Sequence, residues 1–137
     1  MTKDLRKKLD FIPLIILFIT ALYLVYSYFT SDILFIWKHY VGFCMLSITT
    51  LLFLKNHKLG ILSLGITLIL GLFSLLSFSP AITTIYAGVS KIDLIRFQPM
   101  FVLWSVIHFI LSGRYYVGIA NSKYWNNLKS DEPFKIT

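Results

Sequence analysis

One cysteine and six acidic residues in 137 positions, with no carboxylate inside any long apolar run, exclude more than any motif affirms. Cys44 alone makes no intrachain disulfide, and no Cys/His spacing resembles a zinc site. Its position inside an apolar run reads as that of a small buried side chain. Asp4, Asp10, Asp32, Asp93, Asp131 and Glu132 all fall outside or at the ends of the apolar runs. That counts against a proton-coupled exporter, which needs an ionisable group at membrane depth. There is no G-x-S-x-G, no H-E-x-x-H and no Walker-type glycine loop. Serine and threonine within apolar helices return a hydrogen bond to their own backbone and need no catalytic explanation. An enzyme is not expected, nor a cofactor or metal.

Charge is scarce as well. Charged residues make up 14% of the chain and hydrophobic residues 57%, against the roughly 25% charged residues of soluble domains. A chain this small buries only about two thirds of its unfolded surface, so so much apolar side chain points to the lipid bilayer as solvent. The apolar residues come in blocks: Phe11 to Phe29 has 19 residues without a charge, Leu59 to Phe78 has 20, and Tyr40 to Leu54 has 15. About 20 residues at 1.5 Å rise cross the roughly 30 Å hydrocarbon layer. The second block becomes long enough when extended back to position 33, enclosing Lys38 and His39 beside the interfacial aromatics Trp37 and Tyr40. A fourth run begins at Phe97 or Pro99, proline being suited to a first helical position.

These runs predict an all-α integral membrane protein: one membrane domain over 1–137 with four spans, at about 11–29, 33–54, 59–78 and 98–114. The first run follows "MTKDLRKK" as a signal peptide's would, but ends in bulky aromatics without a cleavage pattern and reads as retained. Ten of the thirteen basic residues fall before the first span, after the second or after the fourth. The positive-inside rule therefore sets both termini in the cytoplasm, leaving Lys38, Lys91 and Arg96 on the other side. Topology and anionic lipid account for the net charge of +7, with no nucleic-acid partner required. Richness in Lys, Ile, Leu, Phe and Ser is that of an AT-rich bacterial genome, so the membrane expected is the bacterial inner membrane. Residues 115–137 mix tyrosine, tryptophan and lysine as an interfacial cytoplasmic tail does.

Four features are candidates for function. Gly60, Ser63, Thr67, Gly71 and Ser74 recur at steps of three and four, a small-residue stripe suited to close helix packing within the bundle or between copies. His108 lies about 13 Å along its helix from Pro99, inside the hydrocarbon, where an imidazole is either bonded to a neighbouring hydroxyl such as Ser47, Thr49 or Thr50, or functional. His39 and Lys38 share a helix end as interfacial anchors, whereas His57 sits in a turn and is assigned nothing. Residues 79–97 form a long outer loop, and loops of that length usually work or hold structure of their own. Its strand-favouring composition, with Gly88 and Ser90 offering a bend, predicts a short β-hairpin, a one-turn helix being the alternative. Tyr86, Lys91, Asp93 and Arg96 are its candidate contacts with a protein partner.

The function class expected is a non-enzymatic interaction, accessory or immunity-like membrane protein. The alternative is an oligomeric channel or transporter subunit, a homo-oligomer using His108 and the third-span stripe.

Overall fold

The computed structural model describes residues 3–30, 34–79, 85–89, 92–117, 119 and 125; for Lys3, Asp4, Arg6 and residues 85–89 and 92–97 it describes the backbone only. Lys91 and most of the tail, including Tyr124 and Leu128, lie outside the described residues. What is described is predominantly helical: α1 Lys3–Leu9, α2 Ile12–Thr30, α3 Trp37–Lys55, α4 His57–Leu72 and α5 Pro99–Ser112, the last continued by a 3-10 turn, Gly113–Tyr115. Between α4 and α5, β1 (Ile85–Val89) pairs antiparallel with β2 (Ile92–Phe97), the register slipping between Ala87 and Gly88. Two helical stretches are long and apolar enough to cross a membrane, Lys7–Thr30 with 24 residues and Trp37–Lys55 with 19.

Proline chemistry sets the first break. Pro13 has no N–H to give the Leu9 carbonyl, and the helix interrupts at Asp10 and Phe11 before α2 begins. Asn56 makes the second. A single residue in extended conformation joins α3 to α4, and its side-chain oxygen accepts from the Lys58 and Leu59 amides at 2.9 and 3.3 Å, the geometry of an N-cap. So short a connection folds α4 back along α3, bringing together residues nearly equidistant from Asn56: Phe53 with Gly60, Thr49 with Ser63, and Lys38 with Ser74.

The run expected to be one continuous span over 59–78 is helical only to Leu72. Ser74 takes φ 59°, a left-handed conformation that costs a non-glycine residue roughly 1–2 kcal/mol. Leu76, Ser77 and Phe78 then fold inward and are buried, so their apolar character reflects core packing, not helix continuation. With 16 residues in α4 and 14 in α5, these helices measure about 24 and 21 Å.

Helices α3, α4 and α5 pack together and α2 lies against α3 and α5. Leu17, Ile61, Leu64, Leu68, Leu76 and Phe101 are among the buried side chains that fill the centre. Large apolar side chains also face outward: Leu22, Leu51, Leu54, Ile66, Leu103 and Ile110 are all exposed, Leu54 by 81%. Cys44, expected to be buried, is also exposed. It stands two residues from inward-facing Gly42 and Leu46, and at about 3.6 residues per turn a two-residue step leads to the opposite side of a helix.

Candidate functional site

Polar side chains gather at three levels inside this apolar frame. Near the strands they hold the irregular segment after α4. Lys38 Nζ donates to Ser74 Oγ at 3.1 Å and Gln98 Nε2 to the Leu76 carbonyl at 2.9 Å. The Ser77 amide donates to the Lys38 carbonyl at 3.2 Å. His39 is buried with both nitrogens used: Nδ1 accepts from the Ile36 amide at 3.1 Å, so Nε2 carries the proton and donates to the Ser79 carbonyl at 3.1 Å. Backbone groups released where a helix ends must be paired when buried, and Lys38, His39 and Gln98 do this for residues 74–79. Lys38 also keeps the aromatic neighbour its sequence position promised, lying 5.8 Å from the Trp37 ring.

At the middle level the small-residue stripe meets α3 and α5 of its own chain. Thr49 Oγ1 lies 2.8 Å from Ser63 Oγ and 3.1 Å from Thr67 Oγ1. A Cβ on Gly60 would stand 2.4 Å from the Phe53 ring, and one on Gly71 would stand 2.1 Å from that of Phe101.

His108 is fully buried at this level, and its partner is none of the hydroxyls on α3. Tyr116, just beyond the 3-10 turn, donates its hydroxyl proton to the Ile61 carbonyl at 2.8 Å and sits 2.7 Å from His108 Nε2. One hydroxyl proton cannot serve both contacts. Both are satisfied when His108 carries its proton on Nε2 and donates to Tyr116, which leaves Nδ1 a bare acceptor, buried and without a partner. Gly65 makes room for this arrangement: a Cβ there would lie 2.1 Å from the Tyr116 hydroxyl.

At the end away from the strands stands a group that sequence reasoning passed over. Asp10, turned inward by the break before Pro13, has no exposed surface. Its carboxylate accepts from Ser112 Oγ at 2.9 Å, from Arg114 Nη2 at 2.5 Å and lies 3.2 Å from His57 Nε2. Aromatic rings surround its partners, with Phe11, Phe53 and Tyr115 at 5.3 to 5.7 Å from the His57 ring and the Arg114 guanidinium 4.9 Å from that of Tyr115. Burial here lowers the Lys58 ammonium and raises the Tyr115 phenol from their ordinary values, because desolvation disfavours the charged form of each. An acid directly after a basic segment, three positions ahead of a proline, was the available sequence signal.

Tyr86, Asp93 and Arg96 stand on the paired strands, Tyr86 opposite Arg96 and Asp93 opposite Gly88. Among the described residues no cluster of three His, Cys, Asp or Glu side chains is placed to hold a metal. No family model matches the chain, and it matches no curated protein and no solved structure.

Proposed function

We propose that the chain is a four-span protein of the bacterial inner membrane with both termini cytoplasmic, and that it works by binding a protein partner: an interaction, accessory or immunity-like role without catalysis. The observation that carries the reading is the distribution of polarity. Large apolar side chains cover the outside while Asp10, His39, Thr49, Thr67 and His108 are fully or almost fully buried, the arrangement hydrocarbon favours because internal polar groups must be paired there. On this reading α4 is completed by segment 73–79, whose Ser74, Leu76, Ser77 and Phe78 are buried, irregular backbone at membrane depth being tolerated where protein encloses it.

Interaction is favoured over catalysis because the polar groups are engaged in holding elements together. Asp10 ties the start of α2 to α4, α5 and the 3-10 turn, and His39 and Lys38 tie α3 to residues 74–79. The hairpin is the outer surface left for a partner. A two-stranded hairpin alone is marginal in water, and pairing with another protein stabilises it. Deletion of residues 81–97 is expected to leave insertion normal and abolish in-cell crosslinking to the partner; undiminished crosslinking sinks the reading.

The bare Nδ1 of His108 supports the second reading, a subunit of an oligomeric channel or transporter. A strictly monomeric native mass in detergent removes it, since one bundle of four helices leaves little room for a pore.

A further inference from the structure

Helix α2 carries two stripes. Leu14, Leu17, Ala21 and Leu24 are buried, at steps of three and four, where the helix lies against α3 and α5. On another side Ile15, Ile19, Leu22, Tyr26 and Phe29 are exposed by 52 to 80% at alternating steps of four and three, with Tyr23 beside them exposed by 58%. That alternation is the spacing of a coiled-coil seam. Exposed apolar side chains alone ask for nothing but lipid. The two phenols ask for more. Thr20 and Thr30 on the same helix return their hydroxyls to carbonyls four residues back, at 3.1 and 3.0 Å, but a hydroxyl at the far end of an aromatic ring cannot reach its own helix backbone. The Tyr23 and Tyr26 hydroxyls have no hydrogen-bond partner among the described residues. They stand two and five residues past the middle of α2, about 3 and 7.5 Å. Helical side chains lean toward the N-terminus, which returns both phenols toward the middle of the helix, and an unpaired polar group at such a depth in hydrocarbon is strongly disfavoured.

We propose that this face binds a second copy of the chain, α2 against α2, with the two Tyr26 hydroxyls joined by a hydrogen bond at the seam. Two copies inserted the same way present parallel α2 helices, so a two-fold axis along the membrane normal brings each seam residue to its own counterpart at equal depth. A phenolic hydroxyl both donates and accepts, so Tyr26 is a fitting partner for itself. That identifies the occupant: lipid tails offer no such group at this depth, and a second copy supplies one by symmetry. Leu22 and Ile19 fill the seam one and two turns earlier, and Tyr23 flanks it. The face is separate from the small-residue stripe of α4, which is engaged within its own chain.

The inference rests on the membrane reading above, and one experiment separates the two. Single cysteines are placed along α2 of the full chain in a Cys44→Ala background, and bacterial membranes carrying it are oxidised with copper phenanthroline. Ile15→Cys, Ile19→Cys and Leu22→Cys are expected to form disulfide-linked dimers of twice the chain's mass, whereas Thr20→Cys and Val25→Cys, at half-buried positions off the seam, should not. In a dilution series in mild detergent, followed by energy transfer between labelled copies, Tyr26→Phe should raise the dimer dissociation constant roughly three- to tenfold, the worth of an interhelical hydrogen bond, and Tyr23→Phe should raise it less. No dimer, dimers at every position alike, crosslinks to another protein in place of a second copy, or a Tyr26→Phe variant that associates as tightly as the wild type overturns the inference, while the membrane reading stands as long as the chain resists alkaline extraction. A chain that alkali releases from the membrane overturns both.

Discussion

Asp10 joins segments 104 residues apart in the chain, and two substitutions test how. Breaking a buried ion pair from one side typically costs about 3–5 kcal/mol, because the surviving charge loses its partner. With the Arg114 side chain 27% exposed, Asp10→Ala should fall at the lower end of that range. Asp10→Ala combined with Arg114→Ala should cost less than the two separately, read by thermal unfolding in mild detergent. Additive losses would mean that the contact does not hold these two segments together. Gly65→Ala asks the same of the His108 node. The added methyl meets the Tyr116 hydroxyl, so the phenol must leave both bonds, at about 1–3 kcal/mol. In a Tyr116→Phe background, where those bonds are already gone, Gly65→Ala should cost clearly less; an equal cost in both backgrounds refutes the account.

Among the elements, those with a continuous pattern were legible and those built on a break were less so. Phe11–Phe29 and Tyr40–Leu54 announce α2 and α3 because nothing interrupts them, and Pro99 stands at the start of α5. The end of α4 was hidden because Phe73 to Phe78 is as apolar as the helix before it; only the left-handed Ser74 and the inward turn of Leu76 stop the helix. His39 and Lys38 drew notice for their polarity, yet their work depends on a segment some 40 residues away, beyond the reach of any local pattern. Asp10 was obscured by its company, since an acid among basic residues ahead of a span looks solvated until Arg114 and Ser112 are brought to it. The stripe on α4 was visible by period, but period does not say which helix it meets. Its register against α3 predicts unequal sensitivity. Thr49→Val removes interhelical hydroxyl contacts worth about 1 kcal/mol or less in membranes. Gly60→Ala forces a methyl to within 2.7 Å of the Phe53 backbone and should cost about 1–3 kcal/mol, as overpacking does. Equal melting temperatures for the two variants would refute the close approach of α3 and α4.

At the scale of the whole molecule the topology is testable through thiols, because the only native one is Cys44. In a Cys44→Ala background, a membrane-impermeant maleimide applied to intact cells should label Gly88→Cys in the hairpin and spare Lys55→Cys until the membrane is permeabilised. Labelling of Lys55→Cys from outside would reverse the orientation. In the wild-type chain Cys44, exposed on α3, should stay unlabelled by the same reagent, since hydrocarbon covers it and a water-borne reagent does not enter hydrocarbon.

The joining of Asp10 to Arg114 also sets an order in time. With a separation of 104 residues, the carboxylate leaves the ribosome well before the guanidinium. At about 5–20 residues per second, the acid waits some seconds for its neutralising partner. Any chain truncated before Arg114 keeps that carboxylate without its arginine.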